Sequence, residues 1–189
     1  MSSINNTINS YQNRIAISRL GLWLFFASDA FMFGGLLVSR FYLLGNKNLG
    51  LDQALGLLVT SILLVSSFFM NRAEVMISQG NKKGFITSLI TTIILGTAFL
   101  VGVVGFEWGS AHFGPDDGAE GAVFYMMTGM HAFHVLTGII FLLFVLRNGL
   151  RDKYTIEKHY AVEASANYWH FVDVVWIIFY PALYLMGTL

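Results

Sequence analysis

The sequence predicts an all-α, polytopic membrane protein with five transmembrane helices. Three observations carry that expectation. The 189-residue chain is 56% hydrophobic and 12% charged, with a mean hydropathy of +0.64, whereas soluble domains are about one-quarter charged. Its apolar residues fall in long blocks, not at amphipathic spacing. Each block holds at least about 20 suitable residues, enough to cross the hydrocarbon of a bilayer at roughly 1.5 Å per residue. Finally, Lys and Arg are distributed unevenly. Arg14, Arg19, Arg72, Lys82, Lys83, Arg147, Arg151, Lys153 and Lys158 fall on one side of the expected topology, and only Arg40 and Lys47 on the other. By the positive-inside rule the N-terminus is cytoplasmic and the C-terminus lies on the opposite face.

The elements follow in order. Residues 1–16 form a polar Asn/Ser/Thr tail, irregular or a short surface helix, without the apolar core or cleavage site of a removable signal peptide. A single transmembrane unit covers 17–189, with spans at about 17–44, 51–78, 85–106, 122–146 and 164–189. The second and third spans are joined by Gly80-Asn81-Lys82-Lys83-Gly84. An acidic, glycine-rich loop, Glu107 to Gly121, precedes the fourth, and a charged connection, Arg147 to Glu163, precedes the fifth. Pro181 removes a backbone donor and is expected to kink the last helix near its outer end.

Polar residues inside the spans are the candidate sites. Asp29 lies ten residues beyond Arg19, about 15 Å into the membrane. A carboxylate at that depth costs about 2.5–3.5 kcal/mol on insertion scales, so it is either a protonatable site or a neutral, hydrogen-bonded structural acid. His131 and His134 are spaced i, i+3, about 60° apart around their helix. With His170 they are a conceivable metal or haem set, but helix rise puts His170 about 15 Å away in height. Histidines hydrogen-bonded within a bundle are the favoured reading. His134 falls near the depth of Asp29, leaving a contact between them open. In the last span His170, Asp173, Trp176, Tyr180 and Tyr184 share roughly a 120° sector. That stripe, beside Trp169, must face protein, water or headgroups. Glu74 and Glu163 lie near the cytoplasmic ends of their helices, where solvation is the simplest reading, and Glu107 and His112 are a polar pair at the far side.

The sequence also excludes a good deal. It has no cysteine, hence no disulfide, iron–sulfur cluster, C-x-x-C-H haem attachment or thiolate copper site. It has no Walker loop, dinucleotide fingerprint, hydrolase triad or zincin motif. A formal net charge of +0 gives no hint of nucleic acid.

Three strings carry a family resemblance. E-A-S-A-N-Y-W-H-F-V-D-V-V-W-I-I-F-Y, Glu163 to Tyr180, closely resembles the last helix of subunit III of haem–copper terminal oxidases. G-M-H-A-F-H-V-L-T-G, Gly129 to Gly138, is similar to that family's H-x-x-H-V-x-x-G helix. G-L-W-L-F-F-A-S-D-A-F-M-F-G-G, Gly21 to Gly35, resembles the helix bearing its buried carboxylate. Larger members have seven helices. This chain resembles the last five, as in short bacterial forms, so the two-helix arm of the family's lipid cleft is absent or comes from another chain.

The resemblance implies a non-catalytic subunit of a proton-pumping oxygen reductase in the bacterial cytoplasmic membrane, with the C-terminus periplasmic. It implies no cofactor in this chain, haem and copper in partner subunits I and II, bound phospholipid, and membership of an oxidase complex that can join a respiratory supercomplex. It makes Asp29 the proton-linked acid and Glu74, His131, His134, Glu163, Trp169, His170 and Asp173 buried polar or lipid-contact residues. Cytochrome c oxidase members often have Glu where Asp29 stands, and quinol oxidase members can have Asp. The alternatives are therefore a quinol oxidase subunit III or, from another class, a stand-alone proton channel or a haem cytochrome.

Overall fold

Capping and backbone geometry set the helix ends, and they let the helices outrun the apolar runs. The computed structural model describes residues 2–187, with side-chain surroundings from residue 15 onward. The helices are α1 (Ser2–Leu44), α2 (Gln53–Ser78), α3 (Lys82–Ser110), α4 (Gly118–Leu150) and α5 (Tyr160–Leu185). Among the described residues five segments are long and apolar enough to cross a membrane, the one in α1 being Ile15–Leu44. The polar tail continues α1 without a break, because nothing in Ser2–Arg14 interrupts helical hydrogen bonding: it holds neither Pro nor Gly. Thr188 and Leu189, the end of the expected fifth span, lie outside the described residues.

Asp52 caps α2, its Oδ1 accepting from the amides of Ala54 and Leu55 at 2.9 and 3.2 Å. Gly80, at φ +77°, turns the chain out of α2, and the Asn81 side chain then caps α3 by accepting from the Gly84 amide at 3.0 Å. The α2–α3 hairpin is therefore tight and these two helices are the most closely joined pair.

Two stretches widen to π geometry, Val101–Glu107 near the end of α3 and Pro181–Leu185 at the end of α5. Pro181 brings no amide to the ladder and the helix changes pitch there, and its end at Leu185 leaves the last carbonyls without intrahelical partners. Two of them are taken by other segments: Ala182 O by Arg40 Nε at 2.9 Å and Tyr184 O by Gln53 Nε2 at 3.2 Å.

Helices α2, α3, α4 and α5 pack in a ring, each on the next, and α1 lies outside against α4 and α5. Trp169 occupies the centre. It is 1% exposed, with its indole against Gly96 of α3 and Gly138 of α4, and Nε1 donates to Ser66 Oγ of α2 at 3.1 Å. The next layer outward stacks His131 on Trp176 (centroids 4.7 Å apart), with Phe99 edge-on to both. Exposed Trp23, Phe31, Phe68, Phe106 and Phe133 make the outer surface apolar, which suits lipid or a partner helix and not water.

Candidate functional site

The buried polar residues gather at three levels of the bundle. In the α1–α4 contact, Asp29 Oδ2 lies 3.4 Å from His134 Nε2, with both side chains largely buried. His134 Nδ1 is 2.8 Å from Met130 O. A carbonyl only accepts, so Nδ1 carries a hydrogen, and neutral His134 then turns a lone pair toward Asp29. Two acceptors cannot stably face each other, so the contact is favourable when the pair holds one further proton, on Asp29 or on the ring. Phe33 packs edge-on to the imidazole at 4.8 Å, and Tyr168 Oη donates to His134 O at 3.0 Å. The structure thus brings Asp29 and His134 together, and their matching helix rise was the signal for it.

The second level is the α2–α5 seam, where the polar stripe of α5 meets its partner. His170 Nδ1 is 2.7 Å from Ser67 Oγ and 3.9 Å from Asp173 Oδ2. Asp173 is 3% exposed, with the Ser67 hydroxyl and the His170 ring as polar neighbours but no well-formed hydrogen bond to either oxygen. One layer outward, Trp176 Nε1 donates to Thr60 Oγ1 at 2.9 Å. Toward the lysine- and arginine-rich end, Arg19 of α1 grips Glu163 through Nη2 at 2.8 and 3.0 Å. Glu74 is half-buried within electrostatic reach of Glu163, His170 and His159.

The third level, at the opposite end, joins Glu107 of α3 to Tyr184 of α5: Tyr184 Oη donates to Glu107 Oε2 at 2.6 Å, and Glu107 is 4% exposed. A cavity of about 290 Å³ lies beside this pair, lined also by Asp52 and His112. Glu107, read from sequence as the companion of His112, is thus held by a residue 77 positions away, because the π stretch of α5 carries Tyr184 across to α3. Tyr184→Phe leaves both carboxyl oxygens of Glu107 without a donor. It is expected to destabilise the chain by about 1–3 kcal/mol, read as a lower midpoint of thermal unfolding in detergent; an unchanged midpoint would show that the bond is not structural.

The ligand chemistry of the histidines is limited. The ring of His131, fully buried, is packed between Phe99 and Trp176, His134 is engaged by Met130 and Asp29, and His170 by Ser67. Among the described residues no three His, Cys, Asp or Glu side chains converge as a metal site would require.

A cavity of about 380 Å³ opens between α1, α4 and α5, lined by apolar side chains including Leu22, Phe141, Phe144 and Tyr168. Tyr160 stands in its wall, with the Arg19 guanidinium 6.0 Å from that ring.

One buried charged residue escaped sequence reading. Arg40, counted there as a far-side charge, is 0% exposed, donating to Ala182 O, Gly45 O and Lys47 O at 2.9, 3.0 and 2.9 Å. The apolar run Phe41-Tyr42-Leu43-Leu44 that follows it was the available signal that it lies short of the helix end.

Comparison with known proteins adds the following. A family model described as cytochrome c oxidase subunit III matches residues 9–188. Cytochrome c oxidase subunit 3 of Loxodonta africana is 39% identical over 132 residues, covering 70% of this chain and 50% of that protein. The Papio hamadryas and Gadus morhua proteins of the same name are 35% and 37% identical over 187 and 183 residues, each match covering 90% of this chain and 70% of the relative. The match thus spans about half the length of the first of these relatives and more of the other two.

Proposed function

The chain belongs to the cytochrome c oxidase subunit III family, and from that premise we propose that it is the non-catalytic third subunit of a proton-pumping haem–copper oxygen reductase, a cytochrome c oxidase supporting aerobic electron transport. The family match over residues 9–188 is the observation that carries this reading. The donor set agrees with it, since the rings of His131, His134 and His170 are engaged by Trp176, by Met130 O and by Ser67 Oγ. In this reading haem and copper, which supply the oxygen-reducing and electron-transfer chemistry, are held by subunits I and II.

The chain packs on subunit I, holds phospholipid and sustains proton uptake from the cytoplasm. The cavity between α1, α4 and α5 supports the lipid role: its apolar walls suit part of an acyl chain, and Arg19 beside it suits a phosphate. The Asp29–His134 pair supports the proton role, because its geometry is satisfied when it holds one proton. The membrane in this reading is the bacterial cytoplasmic one, and the excess of Lys and Arg at one end supports an N-terminus on its cytoplasmic side.

Affinity purification of the tagged chain tests the assignment. A haem-bearing catalytic subunit and a copper-bearing subunit that docks cytochrome c are expected to co-purify, and a larger respiratory assembly under mild detergent. Recovery with a quinol-oxidising complex instead would move the chain to that class, and a haem Soret band from the isolated chain would overturn the scaffold reading. In the assembled enzyme Asp29→Asn is expected to leave most of the initial oxygen-reduction rate while slowing proton uptake or shortening active life under turnover. Complete loss of initial activity, with haem and assembly intact, would contradict that role.

A further inference from the structure

We propose that Asp173 is a second proton-binding site, loaded from the lysine- and arginine-rich end of the bundle through His170 and separate from the Asp29–His134 pair. Asp173 is 3% exposed, and no well-formed hydrogen bond ties either carboxyl oxygen; its polar neighbours are the Ser67 hydroxyl and the His170 ring, neither at full hydrogen-bond geometry. A bare carboxylate in such a place is costly, whereas a neutral acid carries its own hydrogen and removes most of the penalty. A purely structural acid is normally tied by donors, as Glu107 is by Tyr184.

A delivery route lies along the same seam. His170 Nδ1 is 3.9 Å from Asp173 Oδ2, and the His170 side chain is 37% exposed, so one side of the ring faces the buried acid while the side chain reaches the surface. Ser67 Oγ, 2.7 Å from Nδ1, both donates and accepts and can hold either tautomer. Glu163 stands seven residues before His170 on α5 and Glu74 seven after Ser67 on α2, each two turns and about 10 Å nearer the basic end. The proton balance is simple. Neutral His170 with hydrogen on Nδ1 takes a proton at Nε2, the imidazolium passes its Nδ1 hydrogen to the Asp173 carboxylate, and the ring returns to neutral with hydrogen on Nε2. The net change is one proton bound by one carboxylate.

The route ends at Asp173. Beyond it Trp176, 0% exposed, closes the seam by donating to Thr60 at 2.9 Å. The charged and titratable groups facing the seam are Glu74 from α2, His159 from the α4–α5 connection, and Glu163 and His170 from α5. Arg19 of α1 is paired with Glu163, α3 meets the backbone of α2 through the hydroxyl of Thr92, and His131 of α4 lies behind Trp176. Asp29 is held in the separate α1–α4 contact.

Infrared difference spectroscopy on the full chain in lipid nanodiscs, carrying 13C-carboxyl aspartate and titrated through neutral pH, tests the proposal. The native chain is expected to show a label-shifted neutral-acid C=O band that disappears in Asp173→Asn and survives in Asp29→Asn. After transfer to D2O, deuterium uptake at that band should slow on the order of tenfold or more in His170→Phe, in keeping with loss of a positioned proton-transfer group. A band indifferent to Asp173→Asn, or exchange as fast in His170→Phe as in the native chain, overturns it. Should Asp173→Asn fail to fold, Asp29→Asn decides: it must retain a labelled neutral-acid band whose exchange slows on adding His170→Phe, and its absence refutes the site. The readout needs no partner subunit, so its failure is distinguishable from failure of the oxidase assignment.

Discussion

Trp169→Ala is expected to lower the stability of the bundle by about 3–5 kcal/mol, measured as the shift in chemical or thermal unfolding of the full chain in detergent. Trp169 is 1% exposed and reaches all three of its ring neighbours at once. A Cβ placed on Gly96 would lie 2.5 Å from the indole, and one on Gly138 would lie 3.0 Å from it, so each glycine is where the ring needs space. Truncation leaves a void that three helices must collapse into together, and it deprives Ser66 Oγ of the Nε1 donor at 3.1 Å. The same packing predicts a reciprocal effect. Gly96→Ala alone forces the ring aside and is destabilising, but in the Trp169→Ala background it fills part of the void and costs less. A double-mutant cycle reads this coupling directly; additivity would mean that the indole does not set the α3–α5 distance.

Arg40→Met is the second large effect, about 3 kcal/mol or more, concentrated at the end of the bundle opposite the lysine- and arginine-rich one. The guanidinium ties Ala182 O in the π stretch of α5 to Gly45 O and Lys47 O in the loop after α1. These are charge-assisted bonds at a fully buried side chain, and methionine offers the three carbonyls no donor. Lysine recovers only part of the loss, because one ammonium cannot reproduce the planar fork that reaches two segments. The contact is closely built from the other side as well: Gly187, at φ +79°, passes so near the loop that an added Cβ would lie 2.4 Å from Asn46 O. Hydrogen exchange should accelerate at residues 182–185 and 45–50 in Arg40→Met while the Trp169 layer stays protected. Uniform acceleration throughout the chain would show that Arg40 supports the whole bundle and not this clasp.

Residues whose role depends on depth were legible in the sequence. Asp29 and His134 could be placed at similar heights by helix rise alone, and the structure brings them within 3.4 Å. The sector of α5 holding His170, Asp173, Trp176 and Tyr184 had to face something polar, and it faces α2 through Ser67, Thr60 and the side chain of Gln53. Residues whose role depends on lateral neighbours were not legible. Nothing in the spacing of Glu107 points to Tyr184, and Arg40, inside the first span, counts only as a far-side cation until Ala182 O of α5 is set beside its Nε.

What the sequence by itself determined is the set of five apolar helices and the uneven placement of cations at their ends. The reason is that hydrocarbon offers no hydrogen-bond partners, so a long apolar run must satisfy its backbone internally as a helix wherever it sits in the bundle. What only the tertiary structure decided is how those helices are rotated and which lie side by side. Lipid tails are as apolar as leucine, so hydropathy cannot rank neighbours; shape and directed bonds must do it. The indole of Trp169 between Gly96 and Gly138, the guanidinium of Arg40 on three carbonyls and the bare carboxyl of Asp173 beside His170 exist only once that choice has been made.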